Sequence, residues 1–157
     1  MKLLFVCTHN ACRSILAEVK TRQLLGDQVA VRSAGSNPAG RIHPLTLRYL
    51  AEQGYNTNSL ASESFDDVRD FDPDIVITVC DRAAADACPA WLGPAARVHW
   101  GLPDPSHSEG DEHAKLRAFE AVMQTLASRL TVLQKYDLAA LQPAELAEAM
   151  QTMKRLV

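Results

Sequence analysis

A cysteine and an arginine lie six positions apart in a short polar segment, Cys7-Thr-His-Asn-Ala-Cys-Arg-Ser14. A loop of this length can turn its backbone N–H groups inward and surround a tetrahedral oxyanion. The guanidinium of Arg13 can then bind two oxygens of that anion. The N–H groups and Arg13 stabilise a thiolate at Cys7, and the hydroxyl of Ser14 can donate a hydrogen bond to it. A nucleophile beside a bound oxyanion predicts attack on the central atom of the anion.

We call residues 7–14 the anion loop. The pattern Cys-x5-Arg is weak by itself because the chain has four cysteines and many arginines, and a structural turn is the alternative. A buried strand before the segment and a helix after it strengthen the functional interpretation. Asn10 is suited to hold the loop, since asparagine tolerates left-handed backbone, and we expect Cys12 to pack beneath it. The residues expected to surround the substrate are Thr8, His9, Asn10, Ala11, Cys12 and Arg13.

A carboxylate flanked by prolines, Pro103-Asp104-Pro105, follows the fourth predicted strand. The two prolines restrict the local backbone and hold the carboxylate in a fixed position. If this segment folds over the anion loop, Asp104 can protonate a departing oxygen as a general acid. The alternative is that Asp-Pro only makes a turn, which is its commonest use.

A second pair of cysteines, Cys80 and Cys88, follows the strongest predicted strand. Seven intervening residues and no paired histidines argue against a zinc site. A permanent disulfide is disfavoured in a reducing compartment. Two thiols within reach of a third are typical of a relay, in which one thiolate attacks an adduct and another resolves the resulting disulfide. The alternative is a buried strand cysteine followed by an incidental one.

The hydrophobic pattern predicts the elements that position these residues. Strands are expected at 2–6, 29–31, 75–79 and 97–100, and helices at 14–25, 44–53, 112–136 and from Pro143 onward. We expect the segment 33–38 to be a turn, and Leu47, Leu50 and Ala51 to form the buried face of the second helix. Alternating strands and helices predict an α/β fold, a four-stranded parallel sheet with helices on both faces. The reactive segments then share the carboxyl edge of that sheet, in one domain spanning residues 1–157.

Composition excludes several classes of protein. The net charge is −3 and no basic run occurs, so nucleic acid is not an expected partner. The longest apolar run is five residues, Leu3 to Cys7, which is too short to cross a membrane. The amino-terminal segment is not typical of a signal peptide, and we therefore expect a reducing, cytoplasmic location.

Several segments in the same order resemble low-molecular-weight tyrosine phosphatases and the arsenate reductases that share their fold. Residues 7–18 resemble the phosphate loop and first helix of both groups. The segments Arg32-Ser-Ala-Gly-Ser36, Asp74-Ile-Val-Ile-Thr-Val-Cys80, Ala87-Cys-Pro89 and Trp100-Gly-Leu-Pro-Asp-Pro105 resemble the reductases. The resemblance covers about residues 2–135, and the combination is more specific than any single motif.

The resemblance implies arsenate as substrate, Cys7 as nucleophile, Arg13 as anion clamp and Asp104 as acid. It further implies that Cys80 attacks Cys7 as arsenite leaves and that Cys88 then attacks Cys80. The remaining Cys80–Cys88 disulfide would be reduced by thioredoxin, or by glutaredoxin and glutathione. The resemblance also implies a potassium ion near Asn10, Glu18 and Ser33. His9 departs from the small residue that many relatives carry in the loop.

Two other functions compete with arsenate reduction. A phosphotyrosine phosphatase would use the same loop and acid without needing Cys80 or Cys88. Such enzymes follow the acid with aromatic residues, whereas Ser106 and His107 follow Asp104 here, and only 6% of the residues are aromatic. A non-enzymatic sensor of arsenite or metal would use the cysteines but would not need Arg13 or Asp104.

Overall fold

The computed structural model describes residues 1–85 and 92–153 of the chain. Its four strands are β1 (Lys2–Cys7), β2 (Ala30–Gly35), β3 (Ile75–Thr78) and β4 (Ala96–His99). They form one parallel sheet in the order β2-β1-β3-β4. This confirms the predicted four-stranded parallel sheet.

Within the described residues, five α-helices surround the sheet: α1 (Arg13–Leu25), α2 (Pro44–Glu52), α3 (Asp81–Ala85), α4 (Glu112–Leu133) and α5 (Pro143–Met153). The chain moves from β1 outward to β2, and from β3 outward to β4 in the opposite direction. Right-handed crossovers in opposite directions place α1 and α3 on opposite faces of the sheet. The direction changes between β1 and β3, and ligands of such sheets bind at the carboxyl ends of the strands beside this change. The anion loop follows β1, and Cys80 follows β3.

The core lies on both faces of the sheet. The strands β1 and β3 are almost entirely buried, and the ring of Phe5 packs 6.4 Å from the ring of Trp100 between centroids. An apolar stripe of α4 is buried, and so are Leu146 and Met150 of α5. The stripe consists of Phe119, Val122, Leu126, Leu130 and Leu133. In the described residues, no helix is both long enough and apolar enough to cross a membrane.

Two local predictions were wrong. The segment from Ser33 was expected to turn, but β2 continues to Gly35, because Ala34 and Gly35 pair with Val6 and Cys7 in the ladder. The composition of 33–38 is rich in turn-forming residues, and pairing with the central strand outweighs that preference.

The buried face of α2 also differs from the expected one. Leu47 is 36% exposed and Ala51 is exposed, while Thr46, Tyr49 and Leu50 are buried. The Tyr49 ring stacks on Phe119 of α4, with 5.3 Å between centroids, and its hydroxyl donates to Glu120. Because its hydroxyl has a hydrogen-bond partner, tyrosine can take the buried position that the pattern assigned to leucine.

The helix α4 ends at Leu133, three residues before the expected Tyr136.

Candidate active site

The nucleophile candidate lies at the end of β1 and faces the first turn of α1. The Sγ of Cys7 is 3.0 Å from the Oγ of Ser14, and both residues are buried. The Nδ2 of Asn10 donates to the same Oγ at 2.8 Å. Since the lone pairs of Ser14 receive this bond, its own hydrogen is free to be donated to the sulfur. The contact that the sequence predicted between Ser14 and Cys7 is therefore present, with the hydroxyl as the donor.

Asn10 holds the anion loop in shape. Its φ of 47° lies in the left-handed region, which confirms the backbone conformation expected for this residue. Its Nδ2 also donates to the Oγ of Ser33 at 3.0 Å, and its Oδ1 accepts the backbone N–H of Glu63 at 2.8 Å. The fully buried amide therefore joins the loop to β2 and to the segment beyond α2.

The end of β2 packs directly against the anion loop. A Cβ on Gly35 would lie 2.7 Å from the carbonyl oxygen of Thr8 and 2.9 Å from the backbone nitrogen of Asn10. The next residues bond to the loop, since the N–H of Asn37 donates to the Thr8 carbonyl at 2.8 Å. Only glycine permits this approach, because any other side chain would displace the loop.

The acid candidate reaches the anion loop across the sheet edge. The Nη2 of Arg13 is 3.6 Å from the Oδ2 of Asp104, and its Nη1 donates to the Leu102 carbonyl at 3.1 Å. The Oδ1 of Asp104 accepts the backbone N–H of Ser106 at 3.0 Å and the Ser106 hydroxyl at 2.6 Å. The structure thus brings Asp104 to the loop, as expected, and fixes one carboxylate oxygen while the other faces Arg13.

A small cavity of about 160 Å³ opens between these groups. Its lining residues are Cys7, His9, Ala11, Cys12, Arg13, Ala39, His43, Asp104, Ser106 and His107. Cys7, Arg13 and Asp104 therefore converge on one space. Sequence reasoning missed Ala39, His43 and Ser106. His107 lies at the rim of the cavity, with a side chain that is 78% exposed. The signal for His43 was the pair His43-Pro44, because a capping residue followed by proline is typical of a helix start.

Cys12 is the second thiol in the anion loop. It is buried, and burial raises its pKa from 9.0 to about 12. A thiol with this pKa stays protonated at neutral pH and is a poor nucleophile. The expected packing role of Cys12 agrees with this burial, although the residue also contributes to the cavity wall.

The structure also brings Cys80 to the anion loop. Its Sγ lies 3.5 Å from the Oγ1 of Thr8 and accepts the backbone N–H of Ala83 at 3.3 Å. Cys7, Cys12 and Cys80 are all free and buried. The predicted partner Cys88 lies outside the described residues.

The start of α3 is fixed by a histidine that sequence reasoning left without a function. The Nε2 of His99 contacts the Oδ1 of Asp81 at 2.9 Å, and its Nδ1 contacts the Oγ1 of Thr78 at 2.8 Å. Asp81 directly follows Cys80, so His99 restrains the backbone beside Cys80.

The residues named for a potassium ion are hydrogen-bonded to one another and to their neighbours. The Oδ1 of Asn10 accepts the backbone N–H of Glu63, a group that can only donate. The side-chain N–H₂ of Asn10 therefore faces Ser33. Ser33 donates to Glu18, and the other oxygen of Glu18 pairs with Arg22 at 3.4 Å. The potassium ion that the resemblance implies stays a prediction. Within 1–85 and 92–153, no group of three or more His, Cys, Asp and Glu side chains is arranged to hold a metal ion.

Known proteins share this sequence and fold. An arsenate reductase of Halalkalibacterium halodurans is 36% identical over 126 residues, which covers 80% of this chain and 89% of that protein. The structure of a thioredoxin-dependent arsenate reductase of Corynebacterium glutamicum matches with a TM-score of 0.65 and 30% identity. That match covers 89% of this chain and 63% of the other.

A phosphatase shares the fold at a lower sequence identity. The structure of a low molecular weight phosphotyrosine phosphatase of Vibrio cholerae matches with a TM-score of 0.68 and 20% identity, over 86% of this chain and 97% of the other. The family of low molecular weight phosphotyrosine protein phosphatases matches residues 2–150. With the cysteine, arginine and aspartate of the site gathered at one cavity, the chain belongs to this family.

Proposed function

We propose that the chain is an arsenate reductase that uses Cys7, Cys80 and Cys88 in a thiol–disulfide relay. The observation that carries the proposal is the position of Cys80, whose Sγ lies 3.5 Å from Thr8 in the loop that holds Cys7. A phosphatase of the same family needs the loop, Arg13 and Asp104, but it has no need for Cys80 or Cys88.

The first step forms a covalent adduct. The Cys7 thiolate attacks the arsenic atom, a sulfur–arsenic bond forms, and one arsenate oxygen leaves as water. The proton for this oxygen comes from Asp104, whose Oδ2 faces Arg13 at the cavity. Arg13 and the loop N–H groups hold the remaining oxygens, and Ser14 supports the sulfur before it attacks.

The second step reduces the arsenic. Cys80 attacks the Sγ of Cys7, the sulfur–arsenic bond breaks, and its electron pair stays on arsenic, which leaves as arsenite. Cys88 then attacks Cys80 and releases the Cys7 thiolate. In total two thiols lose two electrons and two protons, and arsenate becomes arsenite plus water.

A dithiol protein must then reduce the Cys80–Cys88 disulfide. We propose thioredoxin as this donor, supported by the thioredoxin-dependent reductase of similar structure, with glutaredoxin and glutathione as the alternative. The cycle needs a compartment that returns protein disulfides to thiols, so we place the reaction in the cytoplasm.

A single-turnover experiment without a reductant tests the relay. Wild-type protein mixed with arsenate is expected to release one arsenite per chain and to hold a Cys80–Cys88 disulfide. Cys88→Ser is expected to release one arsenite and to stop at a Cys7–Cys80 disulfide. Cys80→Ser is expected to release none. Arsenite is measured by chromatography coupled to mass spectrometry, and the disulfides by peptide mapping.

Binding of inorganic phosphate provides the control for folding, because Cys80→Ser and Cys88→Ser leave the anion loop intact. Release of one arsenite per chain by Cys80→Ser would overturn the relay. With thioredoxin, thioredoxin reductase and NADPH added, NADPH oxidation by wild type identifies the donor. Oxidation only with glutaredoxin and glutathione would reject thioredoxin.

A further inference from the structure

His43 connects helix α2 to the anion loop. Its backbone N–H donates to the Ala11 carbonyl at 3.0 Å, and its Nδ1 accepts the N–H of Leu45 at 3.1 Å in the first turn of α2. Its half-buried side chain lines the same cavity as Cys7 and Arg13. The imidazole is thus both the cap of a helix and part of the wall of the anion site.

The helix cap determines which nitrogen of His43 carries the hydrogen. A backbone N–H is only a donor, so Nδ1 must present its lone pair to Leu45. In the neutral ring the hydrogen is then on Nε2. The polar group that His43 can present to the cavity is therefore an N–H donor, the type of group that binds an oxyanion.

Several other lining side chains of the described residues do not supply this donor. The Nδ1 of His9 contacts the Asn37 carbonyl at 3.1 Å, so its hydrogen is on Nδ1 and its Nε2 has a lone pair when neutral. The Ser106 hydroxyl already donates to Asp104. Ala11 and Ala39 have no polar side-chain atoms. Among these lining residues, His43 complements Arg13 as a side-chain donor.

We propose that His43 is a substrate-binding residue whose Nε2–H donates to one oxygen of the bound tetrahedral oxyanion. The proposal rests on the anion-binding part of the proposed function and not on the relay. Arsenate and phosphate present the same oxygens, so inorganic phosphate serves as the binding probe.

Two substitutions separate binding from capping. Asparagine is a good helix cap, so His43→Asn keeps an acceptor near Leu45 but loses the donor at the Nε2 position. Glutamine is a poor cap, but its side-chain N–H₂ reaches about as far as Nε2, so His43→Gln keeps the donor and loses the cap. A merely structural role predicts that His43→Asn behaves as wild type in every measurement.

We expect His43→Asn to keep the wild-type melting temperature, to raise the phosphate dissociation constant and the KM for arsenate about tenfold, and to change kcat little. We expect His43→Gln to melt at a lower temperature while binding phosphate nearly as well as wild type. Calorimetry measures phosphate binding and melting, and the thioredoxin-coupled assay measures KM and kcat.

A wild-type phosphate dissociation constant in His43→Asn would overturn the role of His43 and leave the proposed function in place. Weaker phosphate binding in both variants, in proportion to their loss of stability, would also overturn it. In contrast, failure of the relay experiment with intact phosphate binding would overturn the proposed function alone.

Discussion

At the scale of single residues, the site is a chain of hydrogen bonds that sets the direction of each donor. Asn10 receives the N–H of Glu63 and donates to Ser14, and Ser14 is thereby left to donate to Cys7. One backbone group outside the loop thus fixes the orientation of a hydroxyl at the nucleophile. Asp104 is fixed in a similar way, since Ser106 occupies one of its oxygens and leaves the other to face Arg13.

Replacing Asp104 separates proton transfer from anion binding. Asp104→Asn cannot protonate the departing oxygen, so we expect kcat for arsenate to fall by about 100-fold or more. The substitution also removes a negative charge near Arg13, and phosphate binding should therefore be equal to or tighter than that of wild type. The coupled assay gives kcat, and calorimetry gives the dissociation constant. Unchanged kcat would exclude Asp104 as the acid.

At the scale of elements, the loop keeps its shape because β2 approaches it at Gly35. We expect Gly35→Ala to displace the backbone of Thr8 and Asn10 and to abolish measurable phosphate binding, because its Cβ would meet Thr8 at 2.7 Å. Gly54→Ala is the matched control. Gly54 has a φ of 84° and open space around it, so alanine there should cost about 1 kcal/mol of stability. Its phosphate binding should stay normal, and binding by Gly35→Ala at the wild-type level would contradict this account.

The sequence was sufficient to predict the four strands and four of the five described α-helices, but not their exact faces. Short apolar runs between polar loops predicted all four strands, and the hydrophobic pattern of 112–136 predicted α4, since each signal lies within the residues of its own element. The face of α2 depends on the partner that Tyr49 finds on α4, which no pattern within α2 contains. The types and spacing of Cys7, Arg13 and Asp104 predicted that they lie together at one cavity. His43 was missed because it reaches the cavity as the cap of α2, and hydrophobic periodicity does not indicate a cap.

At the scale of the whole molecule, local groups outweigh global charge. The chain is acidic, with a net charge of −3, yet the proposed anion site needs only local groups such as Arg13, the start of α1 and the backbone N–H groups of the loop. Local surroundings also determine the pKa of Glu18, a buried carboxyl of α1 that accepts a hydrogen bond from Ser33 of β2. Burial raises its pKa, although Ser33 and Arg22 lower it in part.

Glu18 should therefore make the stability of the protein depend on pH. Because its pKa is higher in the folded state, the folded chain binds more protons, and stability falls as pH rises from the unfolded pKa through the folded one. Glu18→Gln removes this titration and keeps an acceptor for Ser33. We expect the melting temperature of the variant, relative to wild type, to increase as the pH rises above about 4. A difference that does not change with pH would refute this assignment.

The contact between Cys80 and the N–H of Ala83 links the chemistry to the folding of α3. Cys80 directly precedes this five-residue helix, and its sulfur occupies the position of an N-cap. A disulfide sulfur accepts a hydrogen bond less well than a thiolate, so oxidation of Cys80 weakens the cap. A helix this short has little stability of its own. In the proposed relay, the attack on Cys7 therefore destabilises the helix that leads toward Cys88, and the resolving step becomes easier only after the first disulfide has formed.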